Sequence, residues 1–216
     1  MLKIIENFIT ESEMSDVRNY YETYKDKAYV NHIEGDQLID VRLGLVHEFD
    51  HVLTDCIRSK VLDYFNTPDD IWIGYQRQAN PHNIHIDDYN PNPTMDVYTF
   101  IITFDDIPEF KTFVWKQKCL DNDDLHKFMA NWGQQRHSMP KLNNLSETED
   151  LEHTKDQNQN DYICDYLELD GTYTYKKGSA VLFDGKQMHC TSNWTKYNNW
   201  PYRELLQIHV SLPKSK

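Results

Sequence analysis

From Ile71 to the carboxyl end the chain runs in short stretches of β-branched and aromatic residues divided by polar turns, a pattern few architectures satisfy. The stretches cover residues 71–76, 97–104, 110–115, 163–169, 172–175, 180–183 and 204–212. What precedes them is different. A short strand over residues 3–8 leads to a helix at Thr10, whose spacing to Glu13 is that of a capping box. Met14, Val17, Tyr21 and Tyr24 then recur every three or four residues and give that helix one apolar face. A second helix is expected over residues 51–65, capped by Asp50, with Leu53, Cys56, Ile57, Val61 and Tyr64 as its buried stripe and Thr67-Pro68 ending it. A helical lead followed by many short strands predicts an α+β, mainly β fold: helices packed on one face of a β-sandwich or jelly roll.

At 216 residues the expectation is a single domain, 1–216. Within it, residues 1–70 would be a helical support, and residues 71–216 the jelly-roll core with an insertion at about 117–160. The insertion is rich in Asn, Asp, Gln and Glu, with one short helix expected over 123–132. Segments of this length are lids, binding loops or surface additions, and both a lid and a surface insertion without catalytic role fit here.

Charge and composition narrow the partners. A formal charge of −13 repels polyanions and argues against tight binding to duplex nucleic acid, although Lys176, Lys177 and Lys186 could form a local basic strip. No 18-residue apolar run exists to span a membrane. Glu6 interrupts the apolar start where an export signal would continue. The four cysteines form no CxxC pair, so reduced thiols and a cytoplasmic location are expected.

The chemistry lies in a scattered set: His85-Ile86-Asp87, His189 and Arg203. Two histidines and a carboxylate are the ligands of the facial triad, which holds Fe(II) on one side and leaves the other positions open. Alternation along an extended segment puts residues 85 and 87 on one face. Another His-x-acid pair, His32-Ile33-Glu34, has no downstream partner and reads as surface. The run from Gly178 to His189 is a turn glycine, an apolar strand and a second turn that delivers His189 at the start of the next strand. Arg203, 14 residues further on, begins the last strand and offers a rigid two-pronged cation for a carboxylate. Taken singly, His189 reads as a packing or turn-capping residue and Arg203 as a surface ion-pair member; the set outweighs both readings. Cys190 reads as a small packed residue pointing away from the site, and Trp72, Trp194 and Trp200 as core or rim. His82, His126, His137 and His153 have no partner spacing and are assigned no role.

Tyr75, His85-x-Asp87, His189 and Arg203, with the Gly178-to-His189 run, resemble the 2-oxoglutarate- and Fe(II)-dependent oxygenases, within them the prolyl-hydroxylase-like branch. The resemblance covers residues 71–112 and 175–212. It implies a double-stranded β-helix, or jelly roll, and a dioxygenase in which His85, Asp87 and His189 bind Fe(II). It further implies that Arg203 clamps the far carboxylate of 2-oxoglutarate, with hydrogen bonds from Tyr75 and Thr103. The implied cofactors are Fe(II), 2-oxoglutarate as co-substrate and O₂, with ascorbate as an auxiliary reductant. The implied reaction hydroxylates a substrate while 2-oxoglutarate becomes succinate and CO₂. That branch commonly carries Gly-Gly before the next threonine, where this chain has Pro108-Glu109-Phe110-Lys111-Thr112.

Two other functions remain compatible with these residues. One is a cupin-type metal protein or enzyme without 2-oxoglutarate; the other is a non-catalytic jelly-roll binding module. The acidic surface favours a protein side chain or small metabolite over a nucleobase as substrate. The identity of the substrate and the oligomeric state are not legible in the residues.

Overall fold

The computed structural model describes residues 2–34, 37–78, 81–87, 94–107, 110–120, 122–135, 141–142, 151, 154, 163–194 and 202–214. The first elements are β1 (Lys3–Ile5), α1 (Glu11–Tyr24), β2 (Tyr29–Glu34), β3 (Gln37–Gly44), α2 (His51–Leu62) and β4 (Asp70–Gln78). There follow β5 (Met95–Thr103), β6 (Lys111–Lys118), α3 (Asn122–Gln135), β7 (Leu169–Thr174), β8 (Ala180–Asp184), β9 (Gln187–Thr191) and β10 (Arg203–Pro213). A seven-stranded sheet runs β1-β8-β5-β10-β4-β3-β2, and a three-stranded sheet runs β7-β6-β9. Pairing is antiparallel in both. This is the expected jelly roll, with helices against one sheet.

Alternation decides what each strand gives to which layer. On β10, Leu206, Ile208 and Val210 join the core under the helices, and Leu205 joins the core between the sheets. On β4, Ile71, Ile73 and Tyr75 also face the helices. α1 is capped as expected: Thr10 Oγ1 accepts from the Glu13 amide at 3.2 Å, and the Thr10 amide donates to Glu13 Oε2 at 2.6 Å. It buries Met14, Val17, Tyr20 and Tyr21. α2 is capped by Asp50, which accepts from the Leu53 amide at 3.0 Å, and it buries Leu53, Ile57 and Val61. Each such fully buried aliphatic side chain stabilises the layer by about 1.5–3 kcal/mol.

Several expectations need correction. The boundary at residue 70 does not separate support from core, because β1, β2 and β3 all belong to the large sheet. The β2–β3 hairpin was not among the expected strands; β2 pairs with register shifts around His32, while Ile39, Val41 and Leu43 keep the strand alternation in the sequence of β3. α2 ends at Leu62, leaving Tyr64 36% exposed rather than on a buried stripe. The run 163–169 is not a strand: Ile163–Tyr166 is a 3-10 helix, its β-rich composition reflecting burial rather than pairing.

The described part of the insertion packs on the small sheet. α3 places Leu125 in a third core with Phe113, Trp115, Met188 and Cys190, on the side of the small sheet turned away from the large one. Its described part therefore covers the back of that sheet. The basic strip is spent on neighbours: Lys176 pairs with Glu6 at 3.3 Å, Lys177 with Glu11 at 2.6 Å, and the buried Lys186 donates to the Met95 carbonyl. Among the described residues, no helix is long and apolar enough to cross a membrane.

Candidate metal centre and co-substrate pocket

The segment after β4 is stitched to β9 and its preceding turn by backbone bonds. His85 N donates to the His189 carbonyl at 2.9 Å, and His189 N returns the bond to His85 at 3.0 Å. Asp87 N donates to the Gly185 carbonyl at 2.9 Å. With the backbone held extended, Ile86 turns into the core behind the small sheet, and His85 and Asp87 turn the other way. His85, Asp87 and His189 thus come together, each offering a ligand atom within 4.8 Å of the others. Cys190 points into the same outer core as Ile86, away from the triad as expected.

Both imidazoles are prepared to ligate. His85 Nδ1 lies 2.7 Å from the Asn83 carbonyl, and His189 Nδ1 lies 3.0 Å from the Gln187 carbonyl. A carbonyl only accepts, so each Nδ1 carries a proton and each Nε2 is the nitrogen turned toward a metal, which would displace any proton held there. Those Nε2 atoms face Asp87, at 3.7 Å from Oδ1 for His85 and 3.2 Å from Oδ2 for His189. The closer approach lacks hydrogen-bond alignment, and Asp87 Oδ2 is buried with no hydrogen-bond partner among the described residues. An ionised oxygen in that position costs several kcal/mol unless a cation satisfies it. Two neutral imidazoles and one carboxylate fit a divalent transition metal.

The titration behaviour follows the same geometry. Burial raises the Asp87 pKa, but in the metal-free protein the charge of a protonated His189 beside it prevails and holds the carboxyl well below its usual range. His189 is pushed up, since the Asp87 charge outweighs its own burial. Burial, then the charge of His189, takes His85 down to about 4.

A narrow cleft, with only about 10 Å³ open to water-sized molecules, runs from His85 and His189 along the inner face of the large sheet. At its far end stands Arg203, 2% exposed. Its Nε donates to Gln78 Oε1 at 2.6 Å and its Nη1 to the Tyr175 hydroxyl at 2.9 Å. The Tyr175 hydroxyl is also bonded to Thr112 Oγ1. No carboxylate lies within ion-pair distance of Arg203 among the described residues, which leaves a buried cation facing the cavity without a counter-ion.

The other two expected co-substrate contacts are not brought together with it. Tyr75 lies on the opposite face of β4, under the helices, where its hydroxyl donates to Glu204 and accepts from Arg77 Nε at 2.9 Å. Thr103 points inward but does not line the cavity, and its hydroxyl turns to the carbonyls of Lys176 and Asp105 at 3.4 and 3.5 Å. The alternation that puts Ile71 and Ile73 in the helix-facing core puts Tyr75 there too. The polar inner positions are instead Gln76, Gln78, Thr191 and Gln207. The even-numbered partners of Ile71, Ile73 and Tyr75 were the available signal for the two on β4. His82, assigned no role, also lines the cavity; its amide donates to Thr191 Oγ1 at 2.8 Å, and its ring sits 5.2 Å from that of His85. Trp194 is 1% exposed against Phe110 and does not reach the cavity. Trp200, His137, His153 and Pro108-Glu109 lie outside the described residues.

No protein-family model and no curated protein sequence matches the chain. Solved structures do. A non-haem α-ketoglutarate-dependent carbocyclase, SnoK from nogalamycin biosynthesis, is 13% identical with a TM-score of 0.60, covering 97% of this chain and 79% of that one. The corresponding epimerase, SnoN, is 9% identical at a TM-score of 0.56, covering 98% and 77%. A Pseudomonas putida prolyl-4-hydroxylase is 7% identical at 0.50, covering 99% and 93%. At these identities the likeness is one of fold, and the chain has the double-stranded β-helix fold of the 2-oxoglutarate- and Fe(II)-dependent oxygenases.

Proposed function

We propose that this protein is an Fe(II)- and 2-oxoglutarate-dependent dioxygenase acting on a small molecule or a protein side chain. His85, Asp87 and His189 would hold the iron. Arg203 would take the far carboxylate of 2-oxoglutarate, supported by Tyr175 with Thr112 and by Gln78 rather than by Tyr75 and Thr103. The observation that carries the reading is a pair of opposite deficits, among the described residues, about one cleft: beside its His85 and His189 end a buried carboxylate oxygen without a hydrogen-bond partner, and at its other end a buried arginine without a carboxylate partner. A metal satisfies the first and a dicarboxylate satisfies the second; a cupin-type metal protein needs only the first.

When bound, the iron would supply oxidation of the substrate coupled to decarboxylation of 2-oxoglutarate to succinate. The chain's own part is to bind and orient. The Nδ1–H bonds of the two histidines fix which nitrogen ligates. Arg203 fixes the long axis of the co-substrate by paired, charge-assisted bonds. The buried walls keep bulk water from the reacting groups.

The decisive experiment is an anaerobic titration of Fe(II) into apoprotein with and without 2-oxoglutarate, read as the visible charge-transfer absorbance of the chelated keto acid. We expect the band in the wild type and its loss in His189→Ala and Asp87→Ala, with the circular dichroism of the fold retained. A folded protein that binds metal and gives no band would overturn the proposal in favour of a cupin-type site.

A further inference from the structure

Between the two ends of the cavity runs an unbroken hydrogen-bonded line of three glutamines. Arg203 Nε donates to Gln78 Oε1 at 2.6 Å, and Gln78 Nε2 donates to Gln76 Oε1 at 2.8 Å. Gln76 Nε2 donates to Gln207 Oε1, and Gln207 Nε2 donates to Asp87 Oδ1 at 3.2 Å. The three side chains are 0%, 3% and 8% exposed for Gln76, Gln78 and Gln207. They share the inner face because Arg203 stands opposite Gln78 in the β10–β4 register, and Gln207 lies one inward position beyond Leu205, the partner of Gln76.

The direction of this line is forced by its ends. A guanidinium can only donate, so the oxygen of Gln78 must face it and the nitrogen must point onward. An ionised carboxylate can only accept, so the line must finish with a nitrogen on Asp87. Every amide between them is thereby set head to tail, from cation to anion, with no freedom to flip. The Gln78 amide nitrogen also meets His82 Nε2 at 3.2 Å. A buried polar line of this kind is costly unless fully satisfied, and apolar residues would fill the same space at less risk. Its end point has a consequence for the metal as well: Gln207 occupies Asp87 Oδ1 and leaves Oδ2 as the carboxylate's open oxygen.

We infer that Gln76, Gln78 and Gln207 are positioning residues that couple the co-substrate anchor Arg203 to the metal ligand Asp87, so that a carboxylate on Arg203 tightens metal binding through the protein. The inference rests on the function proposed above. An anion that fixes Arg203 fixes Gln78, and with it the whole line, which orders the Asp87 carboxylate in its single-oxygen presentation. Linkage requires the converse: metal on Asp87 raises affinity at Arg203 by the same factor.

Two keto acids separate this coupling from simple chelation. Pyruvate has the chelating end of 2-oxoglutarate and lacks the far carboxylate, so it cannot reach Arg203. The measurement is the dissociation constant of Mn(II), by electron paramagnetic resonance of the free ion, at saturating 2-oxoglutarate, at saturating pyruvate and with neither. In the wild type, 2-oxoglutarate should tighten Mn(II) about tenfold more than pyruvate does. In Gln76→Met, which keeps the side-chain length and loses the amide, the two acids should tighten it equally, and Gln207→Met should behave the same way should Gln76→Met fold poorly. An excess that survives in both variants would overturn the coupling and leave the proposed function standing. Equal effects of the two acids in the wild type would do the same. A wild type whose Mn(II) affinity responds to neither acid would overturn the proposed function and the coupling with it.

Discussion

Arg203 and Glu204 are adjacent on β10 and point to opposite faces of the same sheet, into opposite electrostatic conditions. Glu204, on the helix side, is held by three donors: Arg18 Nε at 2.7 Å, Arg77 Nε at 3.2 Å and the Tyr75 hydroxyl. Burial would raise its pKa, but these partners prevail and lower it. Arg203, on the cavity side, has only neutral hydrogen-bond partners among the described residues. One charge is neutralised within the fold, and under the proposed function the other awaits a ligand. The lesson is that a buried ion pair by itself says little about function, whereas a buried charge with neutral neighbours marks a place where something charged must bind.

If that contrast is right, truncating the two residues must give separable results. Arg203→Ala should raise the Michaelis constant for 2-oxoglutarate about 100-fold, the size of two bonds to a charged group, with little change in metal affinity measured without co-substrate. An unchanged constant would mean that another residue takes the far carboxylate. Glu204→Ala should instead cost about 2 kcal/mol in urea denaturation at neutral pH, because Arg18 and Arg77 lose their shared acceptor, while the 2-oxoglutarate constant stays put. A shift in that constant as large as the one for Arg203→Ala would erase the distinction between the two faces.

The smallest effect sharpens the helix side alone. Glu13, bonded to Lys60 at 2.8 Å and to Thr10, is lowered from its ordinary 4.5 to about 2: burial opposes the shift, and the Lys60 ammonium and the Thr10 amide prevail. A depressed carboxyl stabilises the fold above its unfolded value and loses that contribution as pH falls through the folded one. Wild-type stability should therefore decline between about pH 4.5 and 2 more steeply than that of Glu13→Gln. Parallel curves would show that the helix–helix ion pair contributes nothing.

The candidate metal ligands were readable because their signal is local and doubled. His85 and Asp87 are two apart on an extended segment, and His189 follows a strand-and-turn run whose composition announces its geometry. The proposed co-substrate anchor Arg203 could be singled out from the sequence, whereas Tyr75, singled out beside it, lies on the other face of β4. Residue type and spacing support Tyr75 equally well on either face; the core it belongs to, with Ile71 and Ile73, decides against it. The insertion was visible as an odd composition, but nothing in its Asn, Asp and Gln content says that Leu125 docks behind the small sheet. Leu125 answers to Phe113 and Trp115, partners from before the insertion, and to Met188 and Cys190, from after it.

By itself the sequence determined the class of fold, the helix caps at Thr10 and Asp50, the three metal-ligand candidates and the cation Arg203, because periodicity, capping and ligand type are properties of neighbouring residues. Only the tertiary structure decided that Tyr75 serves Glu204, that Tyr175 and Thr112 stand beside Arg203, and that three glutamines join Arg203 to Asp87. Those are contacts between strands far apart in the chain. Which side chains meet there is set by register and by which face turns toward a second layer, and neither quantity exists until the sheets have closed.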